Sequence, residues 1–92
     1  MKLILDGEKI ANQEELHKQM EQTLDFPEWY GGNLDALYDC LTELMQEVDI
    51  CIQNPDALRQ NLGDYAGKVL TVLQDAANAN INISVTILES SI

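Results

Sequence analysis

The sequence predicts a small α/β domain in which three mostly parallel strands pack against about four helices. Two observations predict this class. Short apolar or alternating segments at residues 3–5, 48–52 and 81–87 are typical of strands. Between these segments apolar residues recur at helical spacing, and strands that alternate with helices favour a parallel sheet. We expect residues 1–92 to form a single domain, because a chain of this length supports one modest core.

Capping signals set the expected helix boundaries. Asn12, three residues before Glu15, resembles the start of a capping box. Asn33 can cap a second helix, and Pro55 occupies the favoured first position of a third helix that ends near Gly63. The expected helices cover residues 13–24, 34–47 and 55–62, and a fourth begins near residue 64.

The composition is that of a globular protein, with 46% hydrophobic and 23% charged residues. No apolar run approaches the roughly 20 residues of a membrane helix, and the N-terminus lacks the apolar stretch of a signal peptide. Cys40 and Cys51 are too few for a disulfide scaffold and lack the spacing of metal ligands. We therefore expect a cytoplasmic protein with reduced thiols, no metal and no cofactor.

The net charge of −11 disfavours binding to nucleic acid or to anionic membranes, and it favours a basic protein as partner. The positions of the charges along the chain also favour a basic partner. Residues 19–58 contain no lysine or arginine, so the acidic groups of this segment have no local counter-charge. These acidic residues are Glu21, Asp25, Glu28, Asp35, Asp39, Glu43, Glu47, Asp49 and Asp56.

The second predicted helix, from Asn33 to about Glu47, separates apolar from acidic positions. Its carboxylates recur every four residues and would stack along one face, where each like-charged pair costs roughly 0.2–0.5 kcal/mol. This face has two interpretations, a plain solvated surface or a surface that binds a cationic partner. The acidic positions are Asp35, Asp39, Glu43 and Glu47, and the predicted buried stripe is Leu34, Leu37, Leu41, Leu44, Met45 and Val48.

The segment before this helix contains three aromatic residues followed by two glycines. Phe26 and Tyr30 are expected in the core, whereas Trp29 is the best candidate for exposure. Tryptophan and tyrosine often anchor protein interfaces, because they bury large areas with few rotatable bonds. An aromatic loop joined to an acidic helix favours a binding site for a basic groove.

Catalysis is hard to build from these residues. His17 is the only histidine, and Cys40 has no adjacent histidine that could activate its thiol. Asp35 and Asp39 on consecutive helical turns would form a convex surface, whereas catalysis needs a cleft. We therefore predict a binding protein that is not an enzyme.

Residues 27–41 read Pro-Glu-Trp-Tyr-Gly-Gly-Asn-Leu-Asp-Ala-Leu-Tyr-Asp-Cys-Leu. This segment resembles the signature of the barstar family, intracellular inhibitors of the ribonuclease barnase. The resemblance implies a stoichiometric inhibitor that enters the nuclease active site, with Asp39 at a phosphate position. It also implies that Val72 and Asp75 on the last helix contact the partner. The remaining interface residues implied by the resemblance are Trp29, Gly31, Asn33, Leu34, Asp35 and Tyr38.

Three positions depart from the family pattern. Trp29 stands where the pattern has tyrosine, Tyr38 stands where it has tryptophan, and Asp75 replaces a glutamate. These exchanges imply a target that differs in detail from barnase. We expect a monomer that forms a 1:1 complex with a basic, extracellular-type ribonuclease. Two alternatives remain open: an acidic immunity or adaptor protein for another basic partner, and a domain that has kept the fold but lost the target.

Overall fold

The computed structural model describes residues 1–88 of the chain. Its elements in order are β1 (Lys2–Asp6), α1 (Gln13–Leu24), α2 (Leu34–Thr42), β2 (Val48–Gln53), α3 (Pro55–Leu62), α4 (Asp64–Ala79) and β3 (Ile83–Leu88). The strands form one sheet in the order β1-β2-β3, and both pairings are parallel. The predicted α/β class, with a three-stranded parallel sheet and four helices, is confirmed.

One face of the sheet carries the core. Leu3 of β1 lies opposite Ile50 of β2, which lies opposite Val85 of β3, so these side chains share a face. On the other face Ile4 and Thr86 are exposed. The helices contribute buried apolar residues to the same cluster, which includes Leu16, Met20, Leu37, Leu41, Leu58, Val69 and Leu73.

Helix α1 begins with the predicted capping box. The Asn12 side chain accepts a hydrogen bond from the Glu15 backbone N–H at 2.9 Å, and the Glu15 carboxylate accepts one from the Ala11 N–H at 3.1 Å. The helix ends at Asp25, which adopts a left-handed conformation with φ of 54°. Residues next to one another in the sequence therefore determine where this helix begins and ends.

Helix α2 ends at Thr42, and the prediction that it runs to about Glu47 is wrong. The physical reason lies in a distant residue. The buried Asn80 side chain donates hydrogen bonds to the carbonyls of Leu41 at 2.9 Å and Leu44 at 3.0 Å. These bonds add to the hydrogen bond that the Leu41 carbonyl accepts from the Leu44 N–H at 3.3 Å, and they hold the chain in a turn toward β2.

The early end of α2 overturns two further expectations. Met45 was expected in the buried stripe, but its side chain is 90% exposed. The predicted column of four carboxylates is also wrong, because Glu43 caps the helix and Glu47 lies in the connection to β2. Only Asp35 and Asp39 occupy helical positions on the acidic face.

The last strand is shorter than predicted. Ile81 was expected to begin it, but its side chain is 99% exposed and β3 starts at Ile83. The backbone N–H of Ile83 donates to the Asn80 carbonyl at 3.0 Å, which closes a turn and leaves Ile81 in solvent. The alternation from Ile83 onward follows the prediction.

Candidate functional site

The aromatic loop (residues 26–32) separates its aromatic side chains as the sequence predicted. Phe26 and Tyr30 are buried, with ring centroids 4.9 Å apart in an edge-to-face arrangement. Trp29 lies between them in sequence, and its side chain is 59% exposed. Two rings therefore anchor the loop, while the third stays available to a partner.

The buried end of the loop is held by His17, a contact that the sequence did not reveal. Nδ1 of His17 is hydrogen-bonded to the Tyr30 hydroxyl, and its Nε2 lies 2.6 Å from the Tyr65 hydroxyl on α4. Gly32 lies close to the same residue, because a Cβ added there would lie 3.8 Å from the Cβ of His17. The one feature of the sequence that could have indicated this role is that His17 is the only histidine of the chain. Nothing in the sequence indicated that Tyr65 contacts it.

Burial sets the protonation of this cluster. Desolvation lowers the pKa of His17, and it raises the pKa of both Tyr30 and Tyr65. The stable arrangement is therefore a neutral imidazole between two neutral hydroxyls. A neutral ring has one donor nitrogen and one acceptor nitrogen, so one hydroxyl accepts a hydrogen bond and the other donates one.

Helix α2 starts where the aromatic loop ends. The Asn33 side chain accepts a hydrogen bond from the Ala36 backbone N–H at 2.8 Å, which confirms it as the cap. Leu34 is half-buried, while Asp35 and Asp39 are exposed. Tyr38 is 37% exposed and borders the acidic face. The helix therefore presents two carboxylates on consecutive turns, beside an aromatic ring.

These carboxylates form no salt bridge with any residue that the structure describes. The salt bridge found in residues 1–88 joins Arg59 to Asp56 at 3.0 Å, on α3. Asp35 and Asp39 take part in none. An exposed acidic face without ion pairs is open to a cationic partner, and the mutual repulsion of its carboxylates would fall on binding.

A groove between α2 and α4, which we call the α2–α4 groove, brings several predicted contacts together. Leu34 and Asp35 line one side, and Val72 lines the other. Asp75 is exposed one turn further along α4 and does not line this groove. Gly31 borders a separate depression against α1. The groove is also lined by four residues that the sequence analysis did not assign to an interface: Asp64, Gly67, Lys68 and Thr71.

Comparison of the sequence with models of protein families identifies the family of this chain. The model of the family described as "Barstar (barnase inhibitor)" matches residues 1–88. The chain belongs to the barstar family. A relative, "Putative ribonuclease inhibitor YrdF" of Bacillus subtilis (strain 168), is 43% identical over 76 residues, which cover 82% of this chain and 84% of the relative. Barstar-family membership confirms the resemblance carried by residues 27–41 and indicates an inhibitor in place of an enzyme.

No helix within residues 1–88 of this barstar-family chain is long and apolar enough to cross a membrane. In the same range, no three histidine, cysteine, aspartate or glutamate residues lie together so that they could hold a metal ion. Cys40 and Cys51 are both buried as free thiols, and burial, with Glu43 and Asp39 nearby, raises the pKa of Cys40.

Proposed function

We propose that this protein is a stoichiometric inhibitor of a small, basic, barnase-like ribonuclease. Membership of the barstar family and the printed name of the Bacillus subtilis relative both support ribonuclease inhibition. The finer proposal is that the aromatic loop and α2 enter the nuclease active site as a plug. Carboxylates of the inhibitor then occupy positions that RNA phosphates take in the substrate complex.

One observation carries this proposal: Asp35 and Asp39 are exposed on α2 without an ion pair among residues 1–88, and α2 directly follows the loop that carries the exposed Trp29. The active site of a ribonuclease must attract phosphates, so it concentrates arginine, lysine and histidine. Two carboxylates one helical turn apart match such a surface in charge. Trp29 supplies apolar area of the kind that anchors interfaces.

The proposed contacts divide between two parts of the surface. Asp39 takes a phosphate position among the basic groups of the nuclease, and Asp35 adds a second negative charge. Trp29 and Tyr38 supply aromatic area, and Asp75 contributes a charge from α4. The remaining proposed contacts are Gly31, Asn33, Leu34 and Val72.

The proposal includes the setting in which the inhibitor works. A cell that makes an extracellular-type ribonuclease needs protection before the enzyme is exported, so we place the inhibitor in the cytoplasm. The free protein is proposed to be a monomer whose single domain binds one ribonuclease molecule. Its strongly acidic character favours fast, electrostatically steered association with a basic target.

A second candidate is an acidic immunity or adaptor protein for a basic partner other than a ribonuclease. The net charge of −11 favours this class as much as it favours the first. Charge alone attracts many basic proteins, whereas inhibition requires the carboxylates to meet the catalytic groups. Loss of RNA cleavage therefore distinguishes the two candidates.

The test is titration of RNA cleavage by barnase with the purified protein. We expect activity to fall linearly and to vanish at an equimolar ratio, as for a tight 1:1 inhibitor. An unrelated acidic protein of similar size and charge serves as the control for nonspecific attraction. Full cleavage in the presence of excess protein would reject the ribonuclease proposal for this target and favour the second candidate.

A further inference from the structure

The α2–α4 groove contains a cation among its carboxylates. Lys68 lies four residues after Asp64 and four before Val72, so the three residues follow one side of α4. Asp35 faces the same groove from α2. Within the part of the chain that the structure describes, Lys68 takes part in no salt bridge. Its ammonium group is exposed and available to a partner.

The residue beside Lys68 is a glycine whose backbone conformation and surroundings would accept a larger side chain. Gly67 is the fourth residue of α4 and has no positive φ, and a Cβ at this position would meet nothing within 4 Å. Glycine is less favourable than alanine inside a helix, because it loses more backbone freedom on folding. A glycine that costs stability and leaves open space suits the close approach of another chain.

The position of Lys68 within the proposed interface restricts the partner. Leu34, Asp35 and Val72 line the same groove and are proposed contacts, so Lys68 lies inside the contact area. A uniformly basic surface placed there would meet a like charge, which lowers affinity. A partner surface matches this groove in charge if it places an acceptor against Lys68 and basic groups against Asp35 and Asp64.

We propose that an aspartate or glutamate of the target ribonuclease enters the α2–α4 groove, passes over Gly67 and accepts a hydrogen bond from the Lys68 ammonium. This inference rests on the proposed function and adds a specificity determinant to it. Lys68 selects those ribonucleases that place a carboxylate at this point of a basic surface. Gly67 provides the space that the carboxylate side chain needs.

The first test compares inhibition constants for barnase among the wild-type protein, Lys68→Glu and Gly67→Ala. We expect each substitution to weaken inhibition by about tenfold or more, because one removes the charge partner and the other fills the space. The direction is diagnostic for Lys68→Glu, since a more acidic variant would otherwise bind a basic enzyme more tightly. Lys2→Glu on β1, outside the groove, adds the same charge and should inhibit at least as well as the wild type.

The second test needs no ribonuclease. We expect Gly67→Ala to raise the melting temperature of the free protein by about 2–6 °C, since alanine is the better helix former. A stabilised variant that inhibits less well is the signature of a glycine kept for binding. A fall in melting temperature would instead show that the fold requires the glycine, and would overturn the inference.

The possible outcomes separate this inference from the proposed function. If the wild type inhibits barnase and Lys68→Glu inhibits it equally or more tightly, the acidic partner group is wrong and the inhibitor function stands. If the wild type does not inhibit barnase, the proposed function fails for this target and the inference fails with it. Weakened inhibition by both groove variants, with Lys2→Glu unaffected, supports the proposal.

Discussion

Nε2 of His17 lies 2.6 Å from the hydroxyl of Tyr65, which joins α1 to α4 through the side of the imidazole that faces away from the aromatic loop. The opposite nitrogen binds the Tyr30 hydroxyl, so one buried ring connects two helices with the loop that carries Trp29. The charged residues of α1 that line the surface depression beside His17 are Glu14, Lys18 and Glu21. The conformation of the loop therefore depends on a titratable side chain.

We predict that stability falls as the pH drops below about 6.5. Burial lowers the pKa of His17 in the folded protein, whereas the unfolded chain binds a proton near pH 6.5. Below that pH the unfolded state holds more protons than the folded state, so the free energy of unfolding decreases until the folded pKa is reached. Urea unfolding between pH 7.5 and 5.5 measures this change.

The control for this prediction is His17→Gln, which keeps a polar side chain but cannot titrate. Its overall stability will be lower, and its dependence on pH over the same range should be smaller than that of the wild type. Identical pH dependence of the two proteins would show that His17 is not the responsible group.

Asn80→Ala should destabilise the protein by about 2–4 kcal/mol. The buried side chain donates to the carbonyls of Leu41 and Leu44, and alanine would remove both hydrogen bonds from a partly buried site. Chemical denaturation measures the loss. Asn78→Ala, an exposed position in the last turn of α4, is the matched control and should change stability by less than about 0.5 kcal/mol. Similar effects at the two positions would contradict the assigned role of Asn80.

Trp29→Ala should mainly weaken inhibition, whereas Tyr30→Phe should mainly lower the stability of the fold. Trp29 is exposed, so its removal should leave the free energy of unfolding within about 0.5 kcal/mol and weaken inhibition of barnase by more than about tenfold. Tyr30→Phe removes the hydroxyl that binds His17, so it should cost about 1–2 kcal/mol of stability. Thermal unfolding and inhibition assays on both variants give the comparison. A Trp29→Ala variant with undiminished inhibition would remove the aromatic loop from the proposed interface.

Asp39→Ala should weaken inhibition far more than Glu47→Ala. Asp39 lies on the exposed face of α2, at the centre of the proposed contact, where loss of a key charge costs more than about 2 kcal/mol, or roughly 30-fold in the inhibition constant. Glu47 carries the same charge but lies outside the helix, in the connection to β2. Because both substitutions change the net charge equally, their ratio isolates position from overall electrostatics. Equal effects would reject the proposed geometry.

The beginning of α2 was predictable, whereas its end was not. Asn33 caps the helix through a bond to the N–H of Ala36, three residues away, and this kind of signal is visible in sequence. The end depends on Asn80, which is 39 residues from Leu41 in the chain. Apolar spacing alone continued through Leu44 and Met45, so the helical pattern overestimated both the helix and its acidic column.

The candidate site shows the same division. The exposure of Trp29 and the burial of Phe26 and Tyr30 followed from their residue types and order. The approach of Val72 to Leu34 across the α2–α4 groove followed here only from a family resemblance, and Lys68 was not anticipated at all. Helical spacing places residues on a face of their own helix, but it does not specify which helix will face it.

The sequence by itself determined the three strands, the caps of α1 and α2, the cation-free acidic segment and the family signature of residues 27–41. Each depends on side chains that act within about four residues of one another, or on composition, so tertiary contacts are not needed to recognise it. Only the tertiary structure decided where α2 ends, how His17 holds the aromatic loop, and which residues line the groove beside the carboxylates. These features depend on hydrogen bonds and packing between residues such as His17 and Tyr65, 48 positions apart, whose proximity exists only once the sheet and helices have assembled.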